Sequence, residues 1–298
     1  MPRNSDLPGT ADLPGYLRSI VAELAGEIGA RPYRDLRRLE RAAERIESRF
    51  TASGYAVASQ TFEYSGRHYR NLIAEIAGTE VHAKVLVVGA HYDTVPESPG
   101  ADDNTSGVAG LLGLARALAA RPPKRTVRFV AFALEEPPVF RTRNMGSYRY
   151  AASLKREGTQ VEGMICLEMI GYFTDRPGSQ RFPLPFMNRV YPSTGSYIAL
   201  VGNRRSAALT RGIAEGFRGA TDLPVITLNA PAVVVGIDFS DHWAFGKFGY
   251  PALMVTDTAF YRNPNYHTAE DLPDTLDYGR MAMVVEGLAG AIEYRGRV

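Results

Sequence analysis

The fold is decided by residues 84–93, KVLVVGAHYD, in which an apolar run ends in polar side chains that can carry chemistry. The run from Val85 to Val88 is apolar on both faces, which is typical of a central strand covered by helices on each side. His91 and Asp93 follow it two residues apart, so both side chains point to the same side of an extended chain. In open α/β sheets, ligands bind beyond the carboxyl ends of the strands. The stretch therefore predicts both a buried strand and a site at its end.

Short apolar runs alternate with helical patterns along the rest of the chain. Strands are predicted at residues 71–77, 84–90, 126–133, 164–170, 197–201, 225–228 and 252–256, and helices at 105–120, 146–157, 206–217 and 275–294. One more helix is predicted between Pro32 and Gly54, where apolar residues recur at spacings of three and four from Leu36 to Phe50. This alternation predicts a three-layer α/β/α sandwich with a mixed, mostly parallel central sheet.

The sequence shows no linker rich in Pro, Gly and Ser between two cores. We therefore expect residues 1–298 to form a single domain, with a polar N-terminal arm at about residues 1–12. Residues 173–194 are rich in Pro, Gly and Ser and are long enough to form a lid over a site.

Composition narrows the classes of function. The chain has 298 residues, with 34 Lys and Arg against 32 Asp and Glu, and this balance predicts no binding of nucleic acid or of an anionic membrane. A single cysteine, Cys166, excludes an internal disulfide and cysteine-rich zinc modules. We find no run of about 18 apolar residues and no apolar signal segment at the N-terminus. We therefore expect a soluble, cytoplasmic protein, and the sequence leaves its oligomeric state open.

Titratable side chains lie at or beyond the ends of the predicted strands: His91, Asp93, Asp102, Asp103, Glu135, Glu136, Glu168 and His267. Oxygen donors and imidazole without a thiolate suit Zn²⁺, Mn²⁺ or Co²⁺ in a catalytic site. Glu168 interrupts an apolar run inside the predicted strand 164–170, so we expect it to be at least partly buried, where a salt bridge or a metal would satisfy it. Two of these residues also have non-catalytic interpretations. Asp102 could cap the next helix, and His91 could form only a surface pair with Asp93.

Five motifs occur in a fixed order along the chain: HYD, GADDN, LEE, LEMIG and YHTAED, beginning at residues 91, 100, 134, 167 and 266. In this order they resemble the co-catalytic two-zinc aminopeptidase family, which also contains glutaminyl cyclases and a glutamate carboxypeptidase branch. The resemblance extends from about Asp35 to Tyr294. It implies a catalytic domain of the zinc exopeptidase type.

The resemblance implies two zinc ions per chain and five metal ligands: His91, Asp103, Glu136, Glu168 and His267. Asp103 would bridge both ions, and family members often have a cis peptide bond after this residue. Glu168 stands where many relatives carry Asp. Glu135 would be the general base, and Asp93 would orient His91. Asp241, in the later motif Ser240-Asp241-His242, could orient a ligand or cap the following helix.

The resemblance also implies an activity. We expect a metal-dependent exopeptidase, an aminopeptidase that hydrolyses N-terminal residues from peptides or aminoacyl compounds through a water bridging two zinc ions. The alternative within the family is a glutaminyl-cyclase-like aminoacyltransferase with one zinc. The non-enzymatic alternative is a binding module with the same fold. A serine hydrolase and a zincin are disfavoured, because the sequence contains neither Gly-x-Ser-x-Gly nor His-Glu-x-x-His.

Overall fold

A mixed sheet of eight strands forms the centre of the molecule. The computed structural model describes residues 12–80 and 84–293. The strands are β1 (Val57–Tyr64), β2 (Arg67–Ile76), β3 (Val85–His91), β4 (Val127–Phe132), β5 (Val161–Leu167), β6 (Ile198–Gly202), β7 (Val225–Asn229) and β8 (Ala252–Thr256). Their spatial order is β1-β2-β4-β3-β5-β8-β6-β7. Strands β4, β3, β5 and β8 are parallel neighbours, β6 pairs in parallel with β7, and the β1–β2, β2–β4 and β6–β8 pairs are antiparallel.

Seven α-helices cover the two faces of this sheet in the described residues. They are α1 (Leu13–Val21), α2 (Leu36–Ala52), α3 (Gly107–Ala119), α4 (Gly146–Arg156), α5 (Ala207–Ala220), α6 (His242–Lys247) and α7 (Tyr278–Glu293). Residues of α1, α2, α3, α5 and α7 share one apolar core, and those of α4 and α6 share the other. The predicted three-layer sandwich is confirmed.

Strand β3 shows why a run without alternation becomes a central strand. Leu86 and Val88 pack into one core, whereas Val85 and Val87 pack into the other, and every residue of the strand is buried. A strand covered on both faces needs apolar side chains at every position, because helices replace water on each side. Strands β4 and β5 are both parallel to β3. The residues that follow these three strands therefore lie at the same end of the sheet.

Two elements were not predicted from the sequence. Strand β1 lies at the edge of the sheet, and each of its residues is either half-buried or exposed, so its sequence lacks a strong apolar pattern. Helix α1 begins at Leu13, with the Asp12 side chain accepting a hydrogen bond from the backbone amide of Gly15. Apart from Asp12, the expected polar arm lies outside the described residues.

Several predicted boundaries were wrong by one to four residues, among them the start of β2, which lies at Arg67 instead of residue 71. Strand β4 ends at Phe132, and strand β5 ends at Leu167, so Glu168 follows its strand instead of lying inside it. Helix α7 begins at Tyr278.

None of the helices in residues 12–80 and 84–293 combines the length and the apolarity that crossing a bilayer requires.

Candidate metal centre

The backbone turns away from the sheet where the motif residues begin. Leu134 has a φ of 61°, so the chain leaves the line of β4 before Glu135 and Glu136. The expected cis peptide bond between Asp103 and Asn104 is present. Because both glutamates lie beyond the strand, the alternation of a strand does not separate their side chains.

Three ligand candidates form a first triad, which consists of His91, Asp103 and Glu168. Nε2 of His91 lies 3.5 Å from Oδ1 of Asp103 and 3.3 Å from Oε2 of Glu168. His91 is the last residue of β3, and Glu168 follows β5 directly, so adjacent parallel strands deliver two of the three side chains. All three residues are buried.

A second triad consists of Asp103, Glu136 and His267. Nε2 of His267 lies 3.1 Å from Oδ2 of Asp103 and 3.4 Å from Oε2 of Glu136. Asp103 therefore directs one carboxylate oxygen to each triad. This is the arrangement of donor atoms that a bridging carboxylate has.

The donor atoms are spaced as ligands of a tetrahedral metal ion would be. Bonds of roughly 2.1 Å at tetrahedral angles separate neighbouring ligand atoms by about 3.4 Å, and the four distances from the two histidines lie between 3.1 and 3.5 Å. Oε1 of Glu136 is buried and has no hydrogen-bond partner within the described residues. A buried carboxylate oxygen without a partner is costly, and a cation would satisfy it. The two triads therefore fit the metal ions that the motifs imply.

The electrostatics of the cluster favour positive charge among the carboxylates. Burial raises the pKa of Glu136 to about 8, and the charge of Asp103 adds to this effect. Burial also raises the pKa of Glu135 well above its usual value. For His267, burial acts in the opposite direction, but hydrogen bonds with Asp103 and Glu136 raise its pKa to about 10. A dication would replace these protons and stabilise the carboxylates in their charged form.

Asp93 touches His91 but has a second set of partners that the sequence did not reveal. Nδ1 of His91 lies 3.2 Å from the backbone carbonyl oxygen of Asp93 and 3.5 Å from its Oδ1. The carboxylate of Asp93 accepts hydrogen bonds from the backbone amides of Glu135, at 3.0 and 3.1 Å, and of Glu136, at 3.2 Å. Asp93 therefore holds the turn that presents both glutamates.

Glu135 lies beside the first triad but farther from the imidazole than its ligand candidates. Its Oε2 is 4.0 Å from Nε2 of His91. His91, Glu135 and Glu136 also lie close enough to form a third grouping of donor atoms. Geometry alone therefore leaves both glutamates within reach of a bound ion.

The structure settles which acids act as helix caps. The carboxylate of Asp102 is buried and accepts hydrogen bonds from the Gly171 amide and from Nδ2 of Asn263, so it caps no helix. Asp241 precedes α6, but its side chain makes no capping hydrogen bond to that helix. Capping by Asp102 and by Asp241 is therefore wrong.

Ser240 is a contact that sequence reasoning missed. Its hydroxyl donates to Oε2 of Glu168 at 2.5 Å and lies 3.1 Å from Sγ of Cys166. The motif Ser240-Asp241-His242 was the available signal, but a sequence does not show which carboxylate a serine hydroxyl reaches. Nε2 of His242 instead contacts the carbonyl oxygen of Ile237, away from both triads.

An apolar cavity opens beside the first triad. Glu168 and Tyr266 form part of its wall, and Tyr266 stacks on His267 with ring centroids 3.8 Å apart. Side chains of β6, β7 and β8 form much of the rest: Ala199, Val201, Ile226, Leu228 and Met254. The loop 173–194 contributes further lining residues, among them Met187 and Tyr191. The segment expected to form a lid therefore lies against this cavity.

Carboxylates and imidazoles that converge beyond the strand ends of an α/β sheet are typical of the active sites of metal-dependent hydrolases. Residues 71–292 match the sequence model of the family described as Peptidase family M28, and the chain belongs to that family. The family and the metallopeptidase class implied by the five motifs are thereby confirmed.

Similar proteins include curated sequences and solved structures. "Uncharacterized protein YfbL" of Escherichia coli (strain K12) is 42% identical over 283 residues, which cover 92% of this chain and 86% of that protein. A "Probable leucine aminopeptidase" of Arthroderma otae is 28% identical over 254 residues, which cover 80% of this chain and 60% of that protein. The structure of BSAP, a zinc aminopeptidase from Bacillus subtilis, is similar with a TM-score of 0.76 at 16% identity, and the match covers 96% of this chain and 95% of that one. A glutaminyl cyclase from Bacteroides thetaiotaomicron gives a TM-score of 0.72 at 16% identity, with 98% and 100% covered. The structural likenesses show a shared fold.

Proposed function

We propose that this protein is a zinc-dependent aminopeptidase that uses two metal ions to release N-terminal residues from peptides. The observation that carries this proposal is the position of Asp103, whose two carboxylate oxygens face different histidines at 3.5 and 3.1 Å. A carboxylate that bound a single ion would need only one histidine beside it. The donor set of imidazole and carboxylate suits Zn²⁺ as well as Mn²⁺ or Co²⁺, and zinc is favoured because a structurally similar protein is a zinc aminopeptidase.

The proposed roles divide the site between two triads. His91 and Glu168 would hold one ion, Glu136 and His267 the other, and Asp103 both. When bound, the ions would polarise the scissile carbonyl and activate water. Asp93 would keep the imidazole of His91 and the turn at Glu135 in place, because it contacts both.

Glu135 is proposed as the general base. Its carboxylate lies beside the cluster without being the nearest partner of either imidazole, which leaves it free to take a proton from the attacking water and to pass it to the leaving amine. Burial raises the pKa of Glu135, whereas metal ions bound beside it would lower that pKa, and a carboxylate under these two opposing influences can take up a proton and return it.

The apolar cavity supports a substrate whose N-terminal side chain is large and apolar. The cavity adjoins Glu168, so a side chain placed in it would leave the neighbouring peptide bond near the first triad. Its walls are mainly aliphatic and aromatic, and such walls gain free energy from burying apolar surface but none from binding charge. We also propose that residues 1–298 act as one catalytic domain, since a continuous sheet supports all five ligand positions.

The test is a release assay on a panel of aminoacyl-amides with exhaustive metal removal. Leucyl and phenylalanyl compounds should be hydrolysed, extended chelation should abolish hydrolysis, and added Zn²⁺ or Co²⁺ should restore it. Full activity after verified metal removal would contradict the mechanism. Cyclisation of N-terminal glutamine without hydrolysis of any amide would instead support a cyclase.

A further inference from the structure

Three consecutive backbone amides, the last of which belongs to Asp103, donate hydrogen bonds to a single residue, Asp271. The Asp102 amide donates to Oδ1 of Asp271 at 2.8 Å, and the Asp103 amide donates to Oδ2 at 3.1 Å. The amide of Ala101 donates to the backbone carbonyl oxygen of Asp271 at 3.2 Å. Asp271 is fully buried. Both oxygens of a buried carboxylate are therefore occupied by the loop that carries Asp103.

Asp271 also belongs to the turn that carries His267. The amide of Thr268 donates to the carbonyl oxygen of Asn265 at 3.0 Å, and the amide of Asp271 donates to the carbonyl oxygen of Thr268 at 3.3 Å. His267 lies inside this turn with a φ of 58°, a conformation that few residues other than glycine adopt without support. Asp271 therefore joins the two loops that supply Asp103 and His267.

A buried guanidinium supports the same loop from the other side. Nη1 of Arg31 donates to the carbonyl oxygen of Pro99 at 3.0 Å, and its Nη2 donates to Oγ1 of Thr105 at 2.9 Å. These two contacts flank residues 101–103, whose amides Asp271 binds. The charge of Arg31 also attracts Asp271. The loop is thus fixed between a cation and a carboxylate, neither of which is a candidate metal ligand.

We propose that Asp271 is a positioning residue that sets the separation of Asp103 and His267 and thereby the affinity of the second metal site. The inference rests on the two-metal function proposed above. The second triad contains both residues that Asp271 joins, whereas the first triad contains only Asp103. Weakening this link should therefore affect the second ion more than the first.

Asp271→Asn is the informative substitution. It keeps the shape of the side chain but replaces one acceptor oxygen with an NH₂ group, which would face a backbone N–H that also needs an acceptor. The matched control is Asp277→Asn. The side chain of Asp277 accepts from the amide of Arg280 at the start of α7, and asparagine fills such a capping position about as well as aspartate does.

The experiment titrates the metal-free full-length proteins with Zn²⁺ in a calorimeter and with Co²⁺ by visible absorption. The wild type and Asp277→Asn should each bind two ions. Asp271→Asn should bind the first ion with nearly normal affinity and the second about 10- to 100-fold more weakly, which is the usual cost of losing a residue that orients a metal ligand. The cobalt spectrum of the second equivalent should change, and that of the first should not.

Two outcomes would overturn the inference separately from the proposed function. If the wild type binds two ions and Asp271→Asn binds both with wild-type affinities and spectra, Asp271 has only a structural role. If the wild type binds a single ion, the two-metal function fails and this inference fails with it. Should Asp271→Asn not fold, Asp271→Glu takes its place, because it keeps both acceptor oxygens but displaces them by one methylene. Wild-type affinity for the second ion in Asp271→Glu would then overturn the inference.

Discussion

The two triads share Asp103 but differ in what surrounds them. The first is built on strand ends, and the side chain of its histidine, His91, is 1% exposed. The second depends on a loop after β8, and the side chain of its histidine, His267, is 30% exposed. Strand ends are held by ladders on both sides, whereas a loop depends on a few contacts such as those of Asp271. We therefore expect the first site to hold its ion tightly and the second to hold its ion more loosely.

The largest expected effect separates two adjacent glutamates of identical chemistry. Glu135→Gln keeps the shape of the side chain and removes the proton acceptor, so kcat should fall about 10²- to 10⁴-fold. The zinc content should stay near that of the wild type, because no proposed ligand is lost. Steady-state kinetics together with elemental analysis check both points.

Glu136→Gln is the matched variant for that prediction, because Glu136 belongs to the second triad. A neutral amide is a poorer partner for a dication than a carboxylate, so the second site should weaken, and added zinc should recover part of the activity. Rescue by zinc of Glu135→Gln but not of Glu136→Gln would mean that the two roles are reversed.

The histidines test the difference between the triads directly. His267→Ala should remove the weaker ion and leave the first, with a loss of affinity greater than the roughly 10- to 100-fold that loss of an orienting residue costs. In the wild type, a chelating dye should withdraw zinc in two phases, and His267→Ala should lack the fast one. If His91→Ala, and not His267→Ala, abolishes the fast phase, the first site binds zinc more weakly than the second, and the expected order of affinities is wrong.

The next prediction concerns the cavity beside the first triad. Ala199→Leu should fill part of the space between β6 and the loop 173–194 and lower kcat/KM for leucyl and phenylalanyl substrates about 10- to 200-fold. Alanyl substrates serve as the internal control, since their side chain does not reach far into the cavity. An equal loss on all substrates would show that the cavity does not hold the N-terminal side chain.

The smallest expected effect comes from Ser240, which contacts only the first triad. Ser240→Ala removes the hydrogen bond to Glu168, so affinity at the first site should fall by about 10-fold while the second site stays unchanged. Zinc titration of the metal-free variant measures both. A change confined to the second site would contradict the assignment of Glu168 to the first.

The sequence indicated the candidate residues, which the structure brings together, better than it indicated the contacts that hold them in place. His91, Glu168 and Glu136 could be found because a charged or polar side chain directly after an apolar run is conspicuous. The contact between the carboxylate of Asp93 and two backbone amides could not be found, because every residue has an amide and the sequence does not show which one a carboxylate reaches. Asp271 escaped for the same reason, although it lies within a recognised motif.

The missed elements of the fold have a similar physical cause. Strand β1 pairs with β2 at the edge of the sheet and none of its residues is fully buried, so its side chains carry a weak apolar pattern. Strand β3 is buried on both faces and could be predicted from four residues. Apolar patterns in a sequence reflect burial. A strand that is held mainly by backbone pairing therefore cannot be predicted from them.

The number of zinc ions bound per chain tests the proposed two-metal site most directly. Protein equilibrated with buffered zinc, freed of excess metal and measured by elemental analysis should contain about two ions per chain, because Asp103 directs one oxygen to each triad. About one ion per chain, in protein that is folded and fully active, would contradict the account and would favour a single-zinc enzyme on the same fold.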